Sequence, residues 1–239
     1  MQKRLSRSGV ALNDREEEKQ VASLKRWIDL KRNPWKAPLH KAMKAWKADK
    51  ASESHLYTYD DLPEQPVVLD IGGFEGGWSD VILAKRPGAV IHIFEPHPGF
   101  AKALRSKFAG NANITVHECA IGSQAGQLEL SDSADASSAF GAKPGQTYLA
   151  EVRSVADFFA TSGLQSVDLA KINIEGGEYD LLPGMIDAGL IDRVKRLQVQ
   201  FHLFDPAWSA TRDAIRGRLA ATHSCTWCYT FVWEEWRLK

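Results

Sequence analysis

The stretch Val67-Val68-Leu69-Asp70-Ile71-Gly72-Gly73-Phe74-Glu75-Gly76-Gly77 decides the fold. An apolar run ends in an acid, a glycine-rich turn follows, and a helix-like segment starts at Trp78. A strand that feeds a helix through such a turn opens a nucleoside-binding α/β fold. Outward from it the same alternation repeats. Strands are expected at 90–94, 114–119, 167–174 and 196–204, with a short extra one at 127–130. Helices are expected at 78–85, 99–108, 155–162, 178–188 and 207–221, and residues 224–238 read as a terminal β-hairpin. This pattern implies a doubly wound, mostly parallel sheet with helices on both faces. No internal repeat is visible.

In open α/β sheets the ligand sits beyond the carboxyl ends of the strands. Asp70 and the loop from Gly72 to Gly77 are expected there, with glycines letting the backbone approach a ligand closely. A second acid ends the next strand in Ile93-Phe94-Glu95-Pro96. Glu95 lies 18 residues past Gly77, close to the spacing of an acid that accepts ribose hydroxyls. The loop argues against a dinucleotide. Its spacing is Gly72-Gly73-x-x-Gly76-Gly77, and Glu75 and Asp70 would repel a pyrophosphate. S-adenosyl-L-methionine has no phosphate and carries a positive sulfonium, so carboxylates favour it.

These blocks resemble a class I S-adenosylmethionine-dependent methyltransferase, and more narrowly the FkbM-type family. The likeness rests on the first stretch, on Ile93 to Pro96, and on Asp168-Leu169-Ala170-Lys171-Ile172-Asn173-Ile174-Glu175-Gly176-Gly177-Glu178. Gln200-Phe201-His202 and Phe231-Val232-Trp233-Glu234-Glu235-Trp236 fit it as well, and it covers about residues 65–239. The resemblance implies a Rossmann-like, seven-stranded sheet with the last strand antiparallel. It implies methyl transfer to oxygen on a sugar of a glycan or secondary-metabolite precursor. It also implies that Asp70, Gly72, Gly73, Phe74, Glu95 and Pro96 meet the cofactor and that Ala120 and Ile121 border the adenine. Many members carry an acid where this chain has Asn173, so Asn173 is expected to orient groups at the cofactor and not to take protons.

Methyl transfer needs alignment and water exclusion, and a sugar hydroxyl needs help in losing its proton. Lys171, Asn173 and Glu175 share one side of their strand by alternation. Glu175 is expected at the mouth, Glu178 in the first turn of the next helix, and His202 at the end of the neighbouring strand. These three are the candidate catalytic groups. They could also hold magnesium or manganese, but with an amide at 173 no metal is assigned. The loop holding Asp132, Ser133, Ser137 and Ser138 reads first as a solvated loop, with its hydroxyls an alternative for the acceptor side. Trp233 and Trp236 read first as core, with a sugar-flanking role as the alternative.

The 239 residues, 44% hydrophobic and 25% charged, suit one domain with an extension. The 30 basic and 30 acidic side chains balance, but residues 1–50 carry a net +8 and the rest −8. The basic arm has two helix-like stripes: Val21, Leu24, Trp27 and Ile28, then Leu39, Met43 and Trp46. Asn33-Pro34 separates them. Residues 1–62 are read as this helical extension and its linker, and 63–239 as the methyltransferase domain. The arm is expected to pack on the body, meet a second subunit, or lie on a membrane surface. Recruitment of RNA by the arm is an alternative, but the acidic body and the Asn173-Ile174-Glu175-Gly176 motif count against a nucleic-acid partner. A non-catalytic binding module is another alternative. Three cysteines imply no disulfide framework and a cytoplasmic setting. Cys225-Thr226-Trp227-Cys228 has no second pair for a zinc site and reads as two cysteines on a strand.

Overall fold

The computed structural model describes residues 27–131 and 147–239. Val21 and Leu24 of the first stripe and the serine loop after Asp132 lie outside the described residues. Ten strands are present: β1 Val67–Ile71, β2 Val90–Phe94, β3 Ile114–His117, β4 Ala120–Gly122, β5 Gly126–Ser131, β6 Thr147–Ser154, β7 Leu169–Ile172, β8 Arg196–Val199, β9 His223–Tyr229 and β10 Trp233–Leu238. Seven of them form one sheet in the order β3-β2-β1-β7-β8-β10-β9. All pairings are parallel except those of β10, which runs antiparallel to both β8 and β9. The fold class, a seven-stranded Rossmann-like sheet with its last strand reversed, is as expected.

Apolar residues pointing both ways from these strands create a core on each face. On one face Val68, Ile91 and Ile93 meet Trp78 and Ile82 of α2 (Gly77–Lys85) and Leu104 of α3 (Pro98–Lys107). On the other, Leu69, Ile71 and Phe94 meet Phe158 of α4 (Val155–Ser162), Leu181 and Met185 of α5 (Glu178–Asp187) and Ile215 of α6 (Trp208–Leu219). The order of strands reverses beside β1, so the gap beyond β1 and β7 is the switch point where ligands bind.

Several boundaries differ from the expectation. The strands expected to reach Cys119, Ile174 and Phe204 stop at His117, Ile172 and Val199. Each stops level with the last residue of its neighbour, at the pairs Phe94–His117, Ile71–Ile172 and Ile172–Val199. Single bonds persist past two of the ends, Asn173 N–H to Ile71 O at 3.0 Å and Gln200 N–H to Ile172 O at 2.9 Å. Ala120 and Ile121 do not simply trail β3. They form β4 of a second sheet, β4-β6-β5, of which only β5 was foreseen as a short strand. β6 has no clean alternation, with Arg153 and Glu151 interrupting its apolar positions.

The polar segment read as a linker is packed, not a free tether. Ala51, Leu56, Tyr59 and Leu62 are buried, and Tyr59 O–H donates to Gln198 Oε1 at 3.1 Å. Before it, α1 (Ala37–Ala48) sets Leu39 against the core and Trp46 against Trp227 and Tyr229 of β9. This half of the basic arm therefore docks on the body. Among the described residues no helix is long and apolar enough to cross a membrane.

Candidate active site

A cavity of about 600 Å³ opens at the switch point. Its floor is the turn after β1, and its walls come from the ends of β2 and β7, the small sheet, and the first turns of α5 and α6.

Gly72 has a φ of +87°, and a Cβ there would sit 2.0 Å from the Asn173 carbonyl oxygen. Only glycine lets β1 and β7 end this close together. Gly73 serves packing instead. A Cβ on it would meet Ile93 Cγ2 at 2.3 Å, and Gly73 does not line the cavity. Phe74 follows with φ +47° and presents its ring beside Phe100, with centroids 4.6 Å apart. Glu175 holds the matching position in the turn after β7, with φ +48°. Two non-glycine residues in the left-handed region, one in each turn, mark a site whose surroundings hold the backbone against its preference.

Glu95 is 5% exposed at the end of β2. Its Oε2 accepts the Phe74 N–H at 2.7 Å and its Oε1 accepts the His97 N–H at 2.9 Å. Burial raises its pKa, and these two bonds hold it back. Each carboxylate oxygen keeps a second lone pair toward the cavity side of the loop. Pro96, Ala120 and Ile121 also line the cavity, as expected, with Leu128 and Val152 of the small sheet opposite.

Asp70 was expected at the ligand but is fully buried and does not line the cavity. Lys171 Nζ lies 3.0 Å from its Oδ1 and Ser79 Oγ donates to its Oδ2 at 2.7 Å. The same Lys171 Nζ donates to the Gly72 carbonyl at 2.6 Å. Asp70 is therefore a positioning residue. It neutralises the lysine that clamps the glycine turn, and it adds no net charge to the cavity. Its strand position was legible, but the lysine opposite it was not assigned as its partner.

Asn173 lines the cavity, and its side-chain Oδ1 is buried without a hydrogen-bond partner in the protein. An orphaned acceptor costs free energy unless a ligand donates to it. A cationic amine is such a donor. This acceptor, the Glu95 carboxylate and the glycine cradle fit S-adenosylmethionine.

The three candidate catalytic groups do converge, but with unequal roles. Glu178 is fully buried. It accepts Gly176 N–H at 2.9 Å, His202 N–H at 2.7 Å, and faces His202 Nδ1 at 3.1 Å. His202 Nε2 sits 3.3 Å from Glu175 Oε1, within ion-pair reach though off the line of a hydrogen bond. Burial opposes charge on His202, but the two carboxylates outweigh it and push its pKa up to about 9. The two carboxylates thus favour the imidazolium near neutral pH, which weighs against His202 as the proton acceptor. Of the three, only Glu175 lines the cavity. Among the described residues no group of three or more His, Cys, Asp and Glu side chains is arranged to hold a metal ion.

Residues 70–225 match the family described as the Methyltransferase FkbM domain. The chain belongs to the FkbM methyltransferase family. It is 25% identical over 138 residues to the 2-O-methyltransferase NoeI of Sinorhizobium fredii, a match covering 50% of this chain and 57% of that one. It is 24% identical over 195 residues to the 31-O-demethyl-FK506 methyltransferase FkbM of Streptomyces tacrolimicus, covering 66% and 73% respectively. A crystal structure of methyltransferase FkbM from Methylobacillus flagellatus KT superposes with a TM-score of 0.49 at 16% identity, covering 76% of this chain and 48% of that one. This FkbM-family chain therefore spans little more than half the length of the NoeI relative and about half of that crystallised chain.

Sequence reasoning missed Trp208, Thr211 and Tyr179, which line the cavity. Trp208 packs on Tyr179 with centroids 4.5 Å apart. Trp233 and Trp236 follow the core reading and not the sugar-flanking one. Trp236 is buried, Trp233 is half-buried, and neither lines the cavity. The signal for Trp208 was its place at the start of the helix after His202, where a helix N-terminus meets the crevice.

Proposed function

We propose that this chain is an S-adenosylmethionine-dependent O-methyltransferase acting on a hydroxyl of a saccharide or of a glycan or secondary-metabolite precursor. The observation that carries the reading is Glu175 at the cavity wall with the His202 imidazolium and buried Glu178 behind it. Membership of the FkbM family and the similarity to two O-methyltransferases support it. A cytoplasmic location and the division into an extension, 1–62, and a methyltransferase domain, 63–239, belong to the same proposal.

When bound, S-adenosylmethionine supplies an electrophilic methyl carbon on a positively charged sulfur. Glu95 would accept the ribose hydroxyls, and Asn173 Oδ1 would accept from the ammonium group. Asp70, Gly72, Gly73 and Lys171 hold the turn that keeps both in place. Phe74, Phe100 and the small sheet exclude water from the nucleoside end. At the other end the acceptor hydroxyl would meet Glu175, which would take its proton as the oxygen displaces the neutral thioether from the methyl carbon. The His202 cation keeps Glu175 ionised and aimed, and Glu178 fixes the ring by its Nδ1 contact. This division of work makes Glu175 a catalytic residue and His202 and Glu178 positioning residues.

The test is transfer of labelled methyl to a panel of glycosides and glycan precursors. Wild-type chain is expected to label at least one of them, with base-stable ether linkage. Glu175→Gln is expected to lower kcat by about a hundredfold with KM for S-adenosylmethionine nearly unchanged. Unaltered kcat in Glu175→Gln would remove Glu175 from the mechanism, and labelling of an amine or thiol in place of a hydroxyl would overturn oxygen as the acceptor.

A further inference from the structure

The walls of the cavity change character from one end to the other. Along the sheet order β2-β1-β7-β8, Glu95 follows β2, the Gly72 turn follows β1, Asn173 and Glu175 follow β7, and His202 follows β8. Neighbouring strands lie about 4.8 Å apart, so each step leads further from Glu95. Beyond His202 the chain enters α6 at Trp208. Phe204 stacks on the His202 ring, with centroids 5.7 Å apart, and meets Trp208 edge-on at 5.5 Å. Tyr179 packs on Trp208 at 4.5 Å, and its O–H donates to the His202 carbonyl at 2.8 Å. Trp208 and Thr211 therefore line the cavity on the side of Glu175 away from the ribose-facing acid.

Charge is just as uneven. Of the described residues that line the cavity, the charged ones are Glu95, Glu175 and Asp180, and all are acids. Asp180, in the first turn of α5, accepts the Ser123 N–H at 2.8 Å and the Ser123 hydroxyl at 2.6 Å. Cations behind these walls are already engaged. Lys171 holds Asp70 and the Gly72 carbonyl, His202 lies between Glu175 and Glu178, and Arg212, next to Thr211 in the chain, pairs with Glu234. An anionic group on the acceptor would meet carboxylates of its own sign. The aromatic wall instead favours the C–H face of an uncharged ring, which it can cover without leaving a polar group unpaired.

We propose that Trp208 is the platform of the acceptor subsite, and that this subsite takes an uncharged glycoside and selects against one phosphorylated on the ring to be methylated. The inference rests on the O-methyltransferase reading and names the acceptor class for that same site. The C–H face of the sugar ring lies against the indole, which Tyr179 and Phe204 brace. The reacting hydroxyl then points toward Glu175. Glu175 and Asp180 repel a phosphate on that ring, so the carboxylate assigned to proton removal also filters the acceptor by charge. Trp208 is a specificity-determining residue on this account. Its loss weakens the acceptor and leaves the cofactor in place, because the groups assigned to the cofactor stand at the ends of β1, β2 and β7.

The probes are phenyl hexopyranosides and their 6-phosphates, titrated by calorimetry into the full chain saturated with S-adenosylhomocysteine. At least one glycoside is expected to bind, about tenfold or more tighter than its own phosphate. Trp208→Ala is expected to weaken that glycoside about tenfold with the Kd for S-adenosylhomocysteine unchanged, and Trp208→Phe to recover most of the loss. Circular dichroism checks that the variants are folded. Thr211 is exposed on α6, and Thr211→Lys is expected to narrow the gap between glycoside and phosphate about threefold or more. Phosphates that bind as tightly as the glycosides, the binding of no glycoside, or a Trp208→Ala variant that binds like wild type would each overturn the subsite. Transfer is read separately, with labelled S-adenosylmethionine in place of the product. A 6-phosphate methylated on oxygen in preference to its glycoside would defeat the selection and leave the O-methyltransferase reading intact. A glycoside that binds as expected but gains no methyl on oxygen would count against that reading and not against the binding preference.

Discussion

At the residue scale, charge decides which groups act and which support. Asp70 and Lys171 are both buried and pair with one another. Removing one charge from such a pair strands the other, at a cost of about 3–5 kcal/mol. Asp70→Asn is therefore expected to lower the urea midpoint strongly, whereas Glu95→Ala should fold normally and weaken S-adenosylhomocysteine binding about tenfold to a hundredfold. Equal unfolding free energies for wild type and Asp70→Asn would contradict the clamp. His202 sets the pH behaviour. Its folded pKa of about 9 lies above the ordinary 6.5, so its contribution to stability is complete below about 6.5 and is lost as pH rises through about 9. Activity should fall over that same alkaline limb, because the cation that aims Glu175 disappears. A kcat that rises through it would make neutral His202 the base after all. The convergence of Glu175, Glu178 and His202 was legible from strand ends alone. Their ranking was not, because it depends on which carboxylate is buried and on two distances across the crevice.

At the scale of elements, the turns after β1 and β7 are a matched pair. Gly72 admits no side chain because the Asn173 carbonyl occupies that space. Gly72→Ala is expected to abolish cofactor binding, and retained affinity in calorimetry would show that the two strand ends can part at little cost. Helix α1 is held on β9 mainly by rings, with Trp46 edge-on to Tyr229 at 5.2 Å. Trp46→Ala should lower stability by about 1–3 kcal/mol and expose the α1–loop junction to protease, while leaving the Kd for S-adenosylhomocysteine unchanged. The bounds of β1 and β2 are legible because continuous β-branched runs are bounded by proline or glycine and by an acid. β6 and β4 were not legible. Their strand character comes from pairing with each other and with β5, not from a period in the chain. The segment before Pro66 looked like a linker because its polar residues outnumber its anchors, yet four buried side chains suffice to hold it.

At the scale of the whole molecule, the fold gathers one charged site from distant parts of the chain. β1 brings the glycine turn, β2 ends at Glu95, the turn after β7 brings Asn173 and Glu175, α5 brings Glu178, and the segment after β8 brings His202. At the far side of the sheet the reversed β10 carries the edge strand β9, on which α1 docks. The formal charge asymmetry of the chain is partly answered by α1 lying on the body. A mostly parallel seven-stranded sheet with its last strand reversed was predictable from alternation and family resemblance together. The electrostatic character of the ligand site was only half predictable. Asp70 turns out to be neutralised by Lys171, which leaves Glu95, Asn173 and Glu175 to select the ligand.

The central claim is that this site takes a sulfonium nucleoside and not a pyrophosphate-bridged one. Titration calorimetry of the wild-type chain with S-adenosylhomocysteine, S-adenosylmethionine and NAD tests it most directly. We expect saturable binding of the first two, weakened by Glu95→Ala, and no heat from NAD. Saturable NAD binding, with no response to either sulfur nucleoside, would contradict it.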